Sequence, residues 1–168
     1  MTVSSRWRYR AKQFAEVGRA KLGRKEVDEI AEVLTSPLLR LFLEMHSVGQ
    51  RHGYRVFKTL RGEGYTDPDL LSAALLHDVG KGYLGVLPRV LWVLLGGISP
   101  VLRQRLALHP SWGKWLGLRD NFFHAAQGAE MVHQAQGSLI TIWLIAQHEH
   151  TGHSDPVLLA LQRADDDS

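Results

Sequence analysis

The sequence predicts an all-α protein. Apolar residues recur at helical spacing through most of its 168 residues. Several of these segments begin with a polar capping residue followed by proline, as at Ser36-Pro37, Asp67-Pro68 and Asp155-Pro156, which is typical of helix starts. No stretch alternates apolar and polar residues as a half-buried strand does. We therefore expect helices packed around one core, which suits a chain of this length.

The first predicted helices belong to a basic N-terminal extension, residues 1–37. Apolar residues at helical spacing predict helices over residues 10–22 and 25–34, with a break at residues 35–37 and Ser36 as the cap of the next helix. The remaining residues, 38–168, are predicted to form the main helical domain. We expect the extension and the domain to pack as one unit.

The main domain begins with a predicted helix over residues 38–45, and His52 opens the following helical segment. Asp67 is the predicted cap of a third, strongly apolar helix that runs into His77-Asp78. Residues 82–118 show no clear pattern. Two further helices are predicted over residues 122–134 and 138–148, and the last helix begins at Asp155-Pro156.

The amino-acid composition excludes several classes of function. The chain has no cysteine, which excludes disulfides, a cysteine-type zinc site and thiol catalysis, and which fits a cytoplasmic location. Its N-terminus lacks the apolar core of a secretory signal. The apolar segment at residues 86–98 is too short to span a bilayer, so we expect no transmembrane segment.

The small net charge of +3 is unevenly distributed, because basic residues crowd the N-terminus. They are Arg6, Arg8, Arg10, Lys12, Arg19, Lys21, Arg24 and Lys25. Such an arm could meet nucleic acid or anionic lipid, but it carries no recognised binding motif, so a solvated helix face is the preferred interpretation. Nucleic acid is therefore not the expected partner.

The adjacent pair His77-Asp78 is the strongest functional signal in the chain. An imidazole and a carboxylate are both good ligands for a divalent metal. They follow a long apolar run, so two polar side chains would be buried at a helix end, where they need a partner. A metal ion is one such partner. Other candidate ligands lie near predicted helix ends, at His52, His124, His148 and Asp165.

The order of these residues resembles the HD-domain superfamily of metal-dependent phosphohydrolases, which is named for its His…His-Asp…Asp signature. The matching segments are residues 50–56 around His52, residues 73–81 around the His-Asp pair, residues 124–130 (His-Ala-Ala-Gln-Gly-Ala-Glu), residues 145–149 ending in His148-Glu149, and residues 162–165 ending in Asp165. The resemblance covers most of the chain, and it implies a helical bundle of the HD type.

The resemblance also implies site residues. His52, His77, Asp78 and Asp165 would bind one divalent ion, while His124 and His148 would add a second ion bridged by Asp78. One departure is Gln147, where two-metal members often have another histidine. Mixed His and Asp ligands suit Mn, Fe, Co, Ni or Mg.

The implied activity is hydrolysis of a phosphate monoester or diester, of a nucleotide or related small molecule, by a metal-activated water. Asp78 and Lys81 are the predicted catalytic residues, because Lys81 could neutralise substrate phosphate as a point charge. An alternative for Lys81 is a solvated lysine at a helix C-terminus. Arg51 could play a similar part, although flanking arginines are usually at the surface or paired with acids.

Two other functions remain open at this point. The first is a non-catalytic, metal-stabilised or nucleotide-sensing module whose partner docks on residues 86–98. The second is a nucleic-acid or membrane binder that acts through the basic arm. The sequence identifies neither the particular substrate nor the oligomeric state.

Overall fold

The protein is all-α, as predicted. The computed structural model describes residues 21–81, 94–115 and 118–168. The helices with named bounds are α1 (Arg24–Ala31), α2 (Ser36–Glu44), α3 (Ser47–Gly62), α4 (Pro68–Leu76), α5 (Pro100–Leu108), α6 (Trp112–Trp115), α7 (Leu118–Gln134), α8 (Leu139–Gln147) and α9 (Pro156–Asp166). A 3₁₀ turn (Val79–Lys81) follows α4, and residues 94–98 are also helical.

Side-chain caps begin the helices that carry the site. The Asp67 carboxylate accepts hydrogen bonds from the backbone N–H groups of Asp69 and Leu70, and Asp155 caps α9 in the same way. Both caps confirm the sequence predictions. The predicted cap at Ser36 is wrong, because Ser36 is already the first residue of α2 and Thr35 occupies the cap position.

Helix α4 lies at the centre of the bundle. Every residue from Leu70 to Leu76 is buried, and α3, α8 and α9 all pack against this helix. The apolar face of α3 supplies the buried side chains of Val56, Phe57 and Leu60 to the same core. Because α4 is covered on several sides, the polar pair that follows it, His77-Asp78, is also carried into the interior.

Two glycines permit the close approaches on which the site depends. A Cβ at Gly53 would lie 2.5 Å from the Leu75 carbonyl oxygen, so only glycine lets α3 lie this close to α4. A Cβ at Gly80 would lie 2.1 Å from the His124 carbonyl oxygen, which brings the 3₁₀ turn against α7. Both contacts involve backbone atoms, which cannot move aside as a flexible side chain can.

Parts of two sequence predictions lie outside the described residues: residues 1–20 of the basic N-terminal extension, which include residues 10–20 of the helix predicted at 10–22, and residues 86–93 of the apolar segment. Within the described part of the chain, no helix combines the length and apolar character needed to cross a bilayer.

Candidate metal centre

The six side chains predicted as metal ligands come together at one place in the fold. Each is delivered by a different part of the bundle. His52 lies on α3, His77 and Asp78 follow α4, His124 lies on α7, His148 follows α8, and Asp165 lies in the last turn of α9. Side chains that are up to 113 positions apart in the chain thus contact each other directly.

The first group consists of His52, His77 and Asp165. The Nε2 atom of His52 lies 2.7 Å from Asp165 Oδ1 and 3.2 Å from His77 Nε2. The His77 Nε2 atom is 3.4 Å from Asp165 Oδ1. His77 is fully buried, whereas the side chains of His52 and Asp165 are 24% and 32% exposed, so solvent reaches this group from one side.

The second group consists of His124 and His148, both buried. Their Nε2 atoms face each other at 3.2 Å. Asp78 lies between the two groups, since its Oδ1 atom is 3.5 Å from His77 Nε2 and 3.7 Å from His124 Nε2. The described residues therefore contain two clusters of metal-ligand type that share Asp78: His52, His77 and Asp78, and Asp78, His124 and His148.

The spacing of these atoms suits divalent ions. Ligand atoms about 2.1 Å from one ion are separated by roughly 3.0 Å at right angles and 3.4 Å at the tetrahedral angle. The separations in both groups lie near these values. Asp78 Oδ1 is buried, and the Lys81 ammonium lies beside it, with Nζ 2.6 Å away, although not in the geometry of a hydrogen bond. A buried carboxylate is costly unless cations compensate its charge, and Lys81 supplies one of them.

Two of the imidazole rings are held with Nε2 toward the cluster. The Nδ1 atoms of His77 and His148 lie 3.0 and 2.7 Å from the backbone carbonyl oxygens of Ala74 and Ile145. When such a ring is neutral and donates from Nδ1, its unprotonated Nε2 faces the cluster, which is the tautomer that a metal requires.

The electrostatics of the two groups differ. Burial lowers the pKa of His77, but the carboxylates of Asp78 and Asp165 outweigh this effect and raise its pKa to about 9. Burial and repulsion from His77 lower the pKa of His148 to about 4. Although burial opposes ionisation of Asp78 and Asp165, the Lys81 ammonium beside Asp78 and the histidines beside both acids hold their pKa values well below the usual range.

Lys81 lies at the cluster. Its Nζ atom is 2.6 Å from Asp78 Oδ1, and its side chain is 22% exposed. The alternative of a solvated lysine at a helix C-terminus therefore does not hold. Arg51 is paired with an acid instead: it contacts Glu26 at 2.5 Å and donates to the Lys21 carbonyl oxygen at 2.6 Å. This pairing ties the start of α1 to the helix that carries His52.

Two predictions about helix boundaries were wrong, although the six side chains predicted as ligands do lie together. His52 does not open a helix: it is an interior residue of α3, and His124 is likewise inside α7, which begins at Leu118 rather than residue 122. Of the other histidines, His46 and His109 accept hydrogen bonds from nearby backbone N–H groups, as capping residues do.

Sequence reasoning missed one residue of the site. The Oε1 atom of Glu149 lies 3.5 Å from His124 Nε2. Burial raises the pKa of Glu149, and the charges of Asp78 and Asp165 raise it further, against the opposing effect of Lys81. Its position directly after His148 was the available signal.

In comparisons with family models, curated proteins and solved structures, nothing matches this chain.

Proposed function

We propose that the protein is a metal-dependent phosphohydrolase of the HD type, which cleaves a phosphate monoester or diester of a nucleotide or related small molecule. One observation carries the proposal: all six ligand-type side chains converge around Asp78 at the separations expected of atoms that share an ion. Histidines and acids in this number can hold divalent cations, and Mn, Fe, Co, Ni or Mg suits the mixture.

Two divalent ions would be bound, each by its own set of side chains. His52, His77 and Asp165 would hold the first ion, His124 and His148 the second, and Asp78 would bridge them. Two ions so held would supply a water of lowered pKa and a clamp for phosphoryl oxygens.

The other parts of the site suit an anionic ester. The Lys81 ammonium is the cation that lies next to Asp78 and partly faces solvent, so it can shift from Asp78 to a substrate phosphate as a point charge. His52 and Asp165 are the partly exposed ligands, so the substrate would enter on their side. The buried side chains of His77 and His148 keep water away from the opposite side.

The direct test is a screen of phosphatase and phosphodiesterase substrates with added Mn²⁺, Ni²⁺, Co²⁺ or Mg²⁺, run beside elemental analysis of the purified protein. We expect bound metal and metal-dependent release of phosphate, and His77→Ala should remove the first ion and abolish the release. Lys81→Met should retain the metal but lose most of the hydrolysis, whereas Lys58→Met, at an exposed lysine paired with Glu29, should behave as wild type. Complete metal loading without turnover across the panel would contradict the proposed activity.

A further inference from the structure

The two groups around Asp78 are unequal in the number of ligands that they offer. With Asp78 included, the first group provides four protein side chains, His52, His77, Asp78 and Asp165. The second provides three, Asp78, His124 and His148. The Gln147 side chain does not fill the gap, because its Oε1 atom is engaged with His153 Nε2 at 3.1 Å in the exposed loop after α8.

Glu149 lies where a fourth ligand would be. Its Oε1 atom is 3.5 Å from His124 Nε2, which is close to the separation of His124 from its partners His148, at 3.2 Å, and Asp78, at 3.7 Å. All three contacts converge on the same nitrogen. The Glu149 side chain is 44% exposed, so its carboxylate reaches the buried group from the solvent side.

The backbone around Glu149 is held in place. The Nε2 atom of Gln162 donates to the carbonyl oxygens of His148, at 3.0 Å, and His150, at 2.8 Å. These two residues flank Glu149 directly. Gln162 also lies on α9, one turn before Asp165, so a single helix positions Glu149 and a ligand of the first group.

Glu149 lies among other acids. It is two positions past the last residue of α8, near the helix end whose dipole disfavours a negative charge. It also shares its neighbourhood with the carboxylates of Asp78 and Asp165, an effect that the Lys81 ammonium opposes. Acids gathered in this way are stabilised further when a divalent ion lies among them.

We propose that Glu149 is a ligand of the second metal ion, together with Asp78, His124 and His148. This inference rests on the metal-binding part of the proposed function and adds to it a residue specific to the second ion. It gives both ions four protein side chains with Asp78 shared. Because its side chain is partly exposed, Glu149 would hold the second ion from the solvent side.

The test uses Mn²⁺ as the probe, with the full chain as wild type, Glu149→Gln and Glu130→Gln. Glu130 is a matched control, since it is an exposed glutamate on α7 whose carboxylate contacts Gln134. Calorimetric titration should find two ions in wild type and in the control. In Glu149→Gln one ion should keep its affinity and the other should bind at least about tenfold more weakly. The spin-coupled Mn²⁺ pair signal in electron paramagnetic resonance should weaken in the same variant.

The melting temperature of the metal-free variant distinguishes a metal ligand from a residue that only supports the fold. If Glu149 serves the ion, metal-free Glu149→Gln should melt at the wild-type temperature or higher, and only the rise in melting temperature on adding Mn²⁺ should shrink. Two ions bound by Glu149→Gln with wild-type affinity, or fewer than two ions in wild type, would overturn the inference. Glu149-dependent binding of two ions without any hydrolysis would instead count against the proposed activity alone.

Discussion

The two groups that face Asp78 use the same residue types but are built differently. The first group, His52, His77 and Asp165, is an ion-paired set in which two side chains are partly exposed and the central imidazole is charged near neutral pH. The second group, His124 and His148, is a buried pair of imidazoles in which His148 stays neutral. The difference predicts that two ions sharing Asp78 would differ in affinity and in pH dependence.

Replacing Asp78, which both groups share, should weaken the binding of both ions. Asp78→Asn keeps the size of the side chain but removes the charge that both groups face, so both ions should bind about 100-fold more weakly or worse. Hydrolysis should fall below detection. Mn²⁺ titration and a phosphate-release assay check this, with Asp166→Asn as the control because Asp166 is an exposed acid on α9. Loss of only one ion would show that Asp78 does not bridge the groups.

The pH dependence should separate the groups. A metal requires neutral imidazole, and the His77 pKa of about 9 means that its proton must leave first. Affinity for the ion in the first group should therefore rise about tenfold per pH unit between pH 6.5 and 8.5. His148, with a pKa of about 4, adds no such dependence. Titrations in two buffers of different ionisation enthalpy should detect release of about one proton at pH 7, and His77→Gln should remove it.

The shifted pKa values of His77 and His148 also make the stability of the metal-free protein depend on pH. The two effects lie at opposite ends of the pH range. The raised pKa of His77 stabilises the folded state fully below its ordinary value of 6.5, and this contribution is lost as pH rises through about 9. The lowered pKa of His148 contributes above 6.5, and its contribution is lost as pH falls through about 4. Melting temperatures of the metal-free His77→Gln variant should consequently be less sensitive to pH on the alkaline side than those of wild type.

Two glycine substitutions should disturb the groups separately. Gly53→Ala forces α3 away from α4 and should weaken the first ion, whereas Gly80→Ala forces the 3₁₀ turn from α7 and should weaken the second. Each should lower the free energy of unfolding by about 1–3 kcal/mol. Gly62→Ala is the control, because a Cβ there meets nothing within 4 Å and alanine favours the helix. Urea unfolding measures the loss of stability, and Mn²⁺ titration measures the binding of each ion. If either variant weakened the binding of both ions equally, the expectation that each glycine affects one group would be wrong.

The smallest expected effect is that of the ion pair between Arg51 and Glu26. Arg51→Gln should cost about 1 kcal/mol or less, since both side chains are partly exposed. Because the pair holds α1 against the helix that carries His52, any change in metal affinity should fall on the first group. Urea unfolding together with Mn²⁺ titration of this variant checks both statements, and a loss confined to the second ion would contradict them.

Much of the fold follows from local signals. The caps at Asp67 and Asp155 act between residues two and three positions apart, so the sequence alone places these helix starts correctly. The buried face of α3 follows from helical periodicity. Ser36 failed as a cap because Thr35, Ser36 and Pro37 offer competing starts, and the sequence cannot rank them. His52 was placed at a helix start because the polar residues before it conceal the first turns of α3.

The sequence by itself determined the all-α class, because periodicity and capping are local properties. The six side chains of metal-ligand type were named from residue chemistry together with the resemblance to the HD-domain superfamily, and their role as ligands stays a prediction. Only the tertiary structure decided that these side chains meet, that Asp78 lies between the two groups, and that Glu149 joins them. Those relations depend on backbone contacts between distant elements, such as Gly53 with Leu75 and Gly80 with His124. A local pattern cannot encode such contacts, since they arise only when the helices pack.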